Sequence, residues 1–191
     1  MDLYVIRHGQ SEANVRREYG GWAQVPLTEK GLSDAQNAGK LLQGIAFDKI
    51  YASDLMRAMQ TCETALPGRT YEKTPLLREL GTGTLDGLNV DEALKIHGEA
   101  LALAYKNSDF RPWGGENRQM ELDRTQAFMQ LLEKESPQNV AAFCHAGTVC
   151  CLLQLVLGAA FSYEHLIVNN GSVSIFTCKD GIWRLKNWNL T

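Results

Sequence analysis

The sequence predicts an α/β fold: a three-layer α/β/α sandwich with a mostly parallel central sheet, an antiparallel edge strand and a helical lid. Three observations carry this expectation. Short apolar runs alternate with amphipathic segments through most of the chain. Two of those runs end in histidine-bearing turns that open helices, and an Asp180-Gly181 pair between two strand-like runs signals a hairpin near the C-terminus. At 191 residues, 45% of them hydrophobic, the chain is of ordinary single-domain size and can bury a full core. One domain over 1–191 is expected, with a lid over about 80–135.

Leu3 to Arg7 reads as the first strand. Thr28 caps a helix to about Gln43, with Leu32, Ala35, Ala38 and Leu42 on one face and Gly44 as its stop. Lys49 to Ala52 is a second strand, and Ser53 or Asp54 can cap a helix from Leu55 to about Leu66. Tyr71 to Leu77 is extended and contains Pro75. Glu79 to Asn89, rich in Gly and Thr, leads into helical segments at about Asp91–Lys106 and Gln119–Lys134, separated by Pro112-Trp113-Gly114-Gly115. Val140 to Cys144 is a buried strand before His145, and Ser172–Lys179 with Ile182–Asn189 forms the hairpin.

The formal net charge is only −3, and the basic residues are scattered, so neither a nucleic-acid backbone nor an anionic membrane surface is an expected partner. The odd cysteine, with no CxxC pair among Cys62, Cys144, Cys150, Cys151 and Cys178, points to reduced thiols and a cytoplasmic setting. No basic n-region precedes Leu3–Ile6, which Arg7 cuts off, so no secretory signal is expected. Val140 to Phe161 is long enough for a membrane span and lacks Asp, Glu, Lys and Arg. His145, Gly147, Thr148, Gln154 and Gly158 interrupt it, and strand, turn and helix start describe it better.

Arg7-His8-Gly9-Gln10-Ser11 lies where a buried strand ends and a helix begins, where open α/β sheets bind ligands and helix N–H groups favour anions. His145-Ala146-Gly147-Thr148 repeats that setting. If the two strands are neighbours, two imidazoles face one crevice. His97 and His165 lack such a setting and read as structural or surface residues. Cys144 reads as a small apolar group, and Trp183 and Trp188 as packing.

Arg7-His8-Gly9-Gln10-Ser11-Glu12-Ala13-Asn14 resembles the histidine phosphatase superfamily, the group that includes the cofactor-dependent phosphoglycerate mutases. Ser53 to Thr61, with Arg57, looks like the family's second arginine motif, Arg78-Glu79 like its acid, and His145-Ala146-Gly147 like its second histidine. Gly115-Glu116-Asn117 and the hairpin follow in the expected order, so the resemblance covers nearly the whole chain. It implies a phosphomonoester hydrolase with a phosphohistidine intermediate on His8. Arg7, Arg57, Asn14 and His145 would hold the phosphoryl group, and Glu79 would act as general acid and base. The resemblance, not spacing, selects Glu79 over Asp86 or Glu116.

Ser11, Gly21, Trp22 and Trp113 are further candidates for substrate binding. No metal or cofactor is expected; the partner is a small phosphomonoester, and a homodimer is compatible with the sequence. The mutases are generally longer and carry an Arg-His-Tyr-Gly-like segment after the acid, where this chain has Leu80 to Gly87. That favours transfer to water, as in the compact branch of broad-specificity phosphatases, α-ribazole phosphatases and fructose-2,6-bisphosphatases. Thr82 and Leu85 stand where that branch often has aromatics. The alternatives are a mutase-type phosphotransferase and a phosphate-binding module with little turnover.

Overall fold

The computed structural model describes residues 1–159 and 165–191, so Ala160 and Phe161, the end of the apolar stretch from Val140, lie outside the described residues. Six strands form one sheet: β1 (Asp2–Arg7), β2 (Lys49–Ser53), β3 (Glu72–Thr74), β4 (Asn139–Cys144), β5 (Val173–Lys179) and β6 (Ile182–Leu190). Their order is β3-β2-β4-β1-β5-β6. The first four run parallel, while β5 is antiparallel to β1 and β6 to β5. The inner parallel strands β2, β4 and β1 are largely apolar and buried because both faces of the sheet are covered, whereas the outer β3 is polar.

Residue alternation assigns the faces. Leu3, Val5, Val140, Ala142 and Cys144 pack with Phe128, Met129 and Leu132 of α5 (Arg118–Glu135) and Leu152 and Leu153 of α6 (Ala146–Leu157). Ile6, Ala141 and Phe143 pack the other way, on Ala38 of α2 (Glu29–Leu41) and Cys62 of α3 (Met56–Ala65). The result is the expected sandwich. The Val140–Leu157 stretch divides into β4 and α6, and among the described residues no helix is long and apolar enough to cross a membrane.

Several local expectations are corrected. Leu32 is 40% exposed; the buried stripe of α2 is Gly31, Ala35 and Ala38, followed by Leu42, because Gly31 abuts the backbone of Gln10, where a Cβ would lie 2.0 Å from the carbonyl oxygen. Neither Ser53 nor Asp54 is the cap of α3, which starts from Leu55 without a side-chain cap bond. Ser53 Oγ still accepts from Leu55 N at 3.4 Å, while Asp54 pairs with Arg78 at 2.5 Å. The extended 71–77 segment holds only the short β3 before Pro75 opens a 3₁₀ turn, Pro75–Leu77. Asp180 and Gly181 both have positive φ, as the type I′ turn requires.

Between β3 and α5, in the region expected to form a lid, α4 (Val90–Asn107) is broken at Gly98 (φ 54, ψ −131). Leu80, Leu85, Ala93, Leu101, Ala104 and Phe110 gather with Tyr19 into an apolar cluster of their own. α5, placed with the lid by the sequence, instead lays Phe128, Met129 and Leu132 into the main core.

Candidate active site

Adjacency of β1 and β4 creates the site. Arg7 pairs in register with Cys144, so the next residues, His8 and His145, emerge together at the C-terminal ends of the two central strands with ring centroids 5.2 Å apart. His8 is 4% exposed and His145 fully buried. His8 N donates to Cys144 O at 2.9 Å, and its carbonyl accepts from Asn170 Nδ2 at 3.0 Å. The turn after His8 is tight: a Cβ on Gly9 would lie 2.1 Å from Gly31 O, which explains the residue after the histidine in steric terms.

The hydrogen bonds assign the tautomers. His8 Nδ1 lies 2.7 Å from Gly9 O, an acceptor only, so Nδ1 carries the proton and Nε2 keeps its lone pair. His145 Nε2 lies 2.9 Å from Ser53 Oγ, which already accepts from Leu55 N. The serine hydroxyl can therefore donate to Nε2, leaving Nδ1–H of His145 as a donor. Burial, with Arg57 next and Arg7 also contributing, holds both imidazoles well below the ordinary histidine range.

Two buried nitrogens beside His8 have no hydrogen-bond partner among the described residues: Arg7 Nε and His145 Nδ1. Buried donors are ordinarily satisfied, so an unpaired pair at the cationic ends of these central strands suits an anion. Arg7 is held by Val168 O through Nη1. Arg57, 2% exposed, is anchored by Nη2 on Gly21 O at 2.9 Å and Nη1 on Ala23 O at 3.1 Å, and burial pushes it down to about 10, still cationic at neutral pH. Thr61 joins the two arms, accepting from Gly9 N at 3.1 Å and donating to Arg57 O at 2.7 Å.

Asn14 and Ser11 divide their tasks. Asn14 Oδ1 accepts from Ser11 N at 3.0 Å and Ser11 Oγ at 3.1 Å in a capping box that opens α1 (Glu12–Arg16), which leaves the amide NH2 as the donating end. Ser11, a candidate for substrate binding, is instead buried and occupied by this cap, because the short helix needs its N-terminal N–H groups satisfied.

Glu79 follows the 3₁₀ turn, its carboxylate accepting from Leu80 N at 3.0 Å and Gly147 N at 3.3 Å at the start of α6. Its segment is clamped by Arg124, which donates to the carbonyls of Pro75, Leu76, Arg78 and Glu79 and pairs with buried Glu116 at 2.8 Å. Glu116 also accepts from Gly81 N, and Asp86 from Trp22 N. Both rival acids are thus committed to the scaffold.

A cavity of about 660 Å³ is lined by Glu79, Ala146 and Gly147 together with Tyr19, Tyr105 and Phe110. Gly21 lines it as well. Trp22 does not: its Nε1 donates to Glu79 O at 2.8 Å, with the Arg78 guanidinium 4.7 Å from its ring, so it fixes the acid's backbone. Trp113 packs on His97 at 5.4 Å within the lid cluster, away from the cavity, because the 111–113 turn faces α4. Sequence reasoning missed Ser53, Thr61, Arg124 and Asn170. Only Ser53 and Thr61 carried a signal, lying within the Ser53–Thr61 motif. Among the described residues no group of three or more His, Cys, Asp or Glu is gathered to hold a metal ion.

Two expected outcomes follow from this geometry. A Cβ on Gly147 would lie 2.1 Å from Glu79 Oε1, so Gly147→Ala displaces the acid and should lower kcat roughly 10- to 100-fold with little change in KM; an unchanged kcat would refute the placement of Glu79. The second concerns stability. Unfolded chains take up histidine protons as pH falls through about 6.5, whereas His8 and His145 in the fold do not. Each histidine therefore withdraws up to about 1.4 kcal/mol of stability per pH unit below that pH, while the buried Glu121 carboxyl, pushed up to about 8, acts in the opposite direction. Urea unfolding at pH 7.5 and 5.5 should show His8→Asn gaining stability relative to the wild type as pH falls; an equal pH dependence in the variant would contradict it.

The histidine phosphatase superfamily (branch 1) matches residues 3–191. The adenosylcobalamin/α-ribazole phosphatase of Salmonella typhimurium is 32% identical over 193 residues, covering 97% of this chain and 95% of that protein. A 2,3-bisphosphoglycerate-dependent phosphoglycerate mutase of Methylobacterium radiotolerans is 41% identical over 123 residues, but the match spans only 60% of this chain and 58% of the mutase. The crystal structure of the α-ribazole phosphatase from Shigella flexneri superposes with a TM-score of 0.89 at 28% identity, covering 99% of this chain and 96% of that one.

Proposed function

The chain belongs to the histidine phosphatase superfamily, and from that premise we propose that it hydrolyses small phosphomonoesters through a phosphohistidine on His8. The observation that carries this is the bare Nε2 of a neutral His8 beside two unpaired buried donors, Arg7 Nε and His145 Nδ1. His8 Nε2 attacks phosphorus as the ester P–O bond breaks. Arg7, Arg57, His145 and the Asn14 amide hold the phosphoryl oxygens where charge develops. Glu79 protonates the leaving alcohol, then takes a proton from the water that hydrolyses the phosphohistidine.

We place the leaving group in the cavity that Glu79 lines. The cavity's volume and mixed lining, with Tyr19, Tyr105 and Phe110 beside Lys106, Arg118 and Gln154, suit an alcohol larger than a three-carbon acid, which favours a bulky monoester as substrate. α-Ribazole phosphate, named for two of the relatives, is one candidate. The five cysteines, which form no disulfide, support the cytoplasm as its compartment.

Purified protein is expected to release phosphate from p-nitrophenyl phosphate in excess EDTA; strict dependence on added Mg²⁺ or Zn²⁺ would refute the mechanism. The similarity to mutases favours a second reading, transfer between hydroxyls. Exchange between the 2- and 3-positions of phosphoglycerate without comparable phosphate release would establish it. Binding of phosphate esters without either activity would mark a phosphate-binding module. A phosphate-release screen over sugar phosphates, phosphoglycerates, nucleotides, phosphopeptides and α-ribazole phosphate would rank substrates.

A further inference from the structure

Glu121 of α5 is fully buried, and its Oε1 has no hydrogen-bond partner among the described residues. The other oxygen, Oε2, accepts from Arg118 Nη1. Oε1 is aimed at the start of α6: the point where a Cβ on Gly147 would stand lies 2.5 Å from it and 2.1 Å from Oε1 of Glu79. The two carboxyls thus converge on the space left by a glycine, within the ~4–6 Å over which one carboxylate raises the proton affinity of another. Glu121 has no role in the phosphoryl site described above.

We propose that Glu121 is a positioning residue for Glu79: the two form one proton-sharing pair, with Glu79 at the leaving group and Glu121 as the buried carboxyl that keeps the proton in place. This rests on the hydrolase proposed above. As His8 Nε2 bonds to phosphorus, the ester oxygen leaves with the bonding electrons and takes the pair's proton through Glu79. In the second step the water oxygen bonds to phosphorus, the N–P bond returns its electrons to His8, and the water proton goes back to Glu79. Two neighbouring carboxylates left fully charged after the first step favour that return.

The surroundings agree in sign. Burial first, and Glu79 next, push Glu121 up to about 8, and Glu116 acts in the same direction; Arg118 and Arg124 oppose them. Across the site Arg7 of β1 and Arg57 of α3 face Glu79, as do the thiols of Cys144 and Cys150, which burial keeps protonated.

The test is the pH profile of kcat in EDTA for an alkyl phosphomonoester, whose leaving oxygen needs a proton, and for p-nitrophenyl phosphate, whose leaving group does not. Glu121→Gln should move the alkaline limb for the alkyl ester to lower pH by about one unit or more, with KM little changed and a much smaller effect on p-nitrophenyl phosphate. Arg118→Met, which removes a countercharge, should move the limb the other way. Unshifted limbs in both variants, or a loss equal at every pH and for both esters, would overturn the pairing. If Glu121→Gln does not fold, the direction of the Arg118→Met shift decides alone. Failure of the wild type to hydrolyse either ester would instead overturn the hydrolase itself.

Discussion

His8→Ala is expected to reduce phosphate release on the order of 10³-fold or more while leaving the fold intact. The size of the effect follows from what the ring supplies. Nε2 is the proposed attacking atom, and the Nδ1–H bond to Gly9 O fixes its tautomer and direction. Nothing nearby replaces it: His145 is turned by Ser53 so that Nδ1–H is its donating end, and Cys144 is a fully buried thiol whose ionisation burial suppresses. Alanine removes the nucleophile but keeps the backbone bond from residue 8 to Cys144 O, so substrate binding through Arg7 and Arg57 should survive. Retention of full activity in this variant would remove His8 from the mechanism.

The second large effect is expected at Arg57. Its guanidinium is 2% exposed, carries charge into the site and ties down Gly21 and Ala23. Arg57→Met should cost ~10²–10³-fold in kcat/KM, in both KM and kcat, because a charged donor is lost in the ground state and as charge develops on phosphorus. Arg57→Lys restores a cation but cannot hold two carbonyls and a phosphoryl oxygen with a planar fork, so it should recover only part of the loss. Near wild-type kcat/KM in the lysine variant would show that charge alone suffices.

Much of this was legible in the sequence because the determinants are local. A buried strand ending in Arg7-His8-Gly9, and another ending in His145-Ala146-Gly147, announce two imidazoles at strand ends, and β1–β4 pairing needs only the parallel alternation to bring them together. Asp180-Gly181 determines its hairpin through backbone preference alone. What escaped depends on contacts between distant segments. Ser53 reads as a helix cap until β2 and β4 lie side by side and place it on His145. Arg124, on an ordinary amphipathic helix, gains its role only when four carbonyls of the 75–79 segment turn toward it. Leu32 looks like core until the backbone of Gln10 claims the Gly31 face. Trp113 looks like a cavity residue until the lid folds its ring onto His97.

The most direct test of the phosphohistidine is to capture it. Enzyme turning over a phosphomonoester would be quenched in alkali, where phosphohistidine survives, digested and sequenced by mass spectrometry. A phosphoryl group on His8, absent from His8→Ala and lost on acid treatment, is the predicted result. A phosphoryl group on another residue, or turnover by His8→Ala at the wild-type rate, would contradict it.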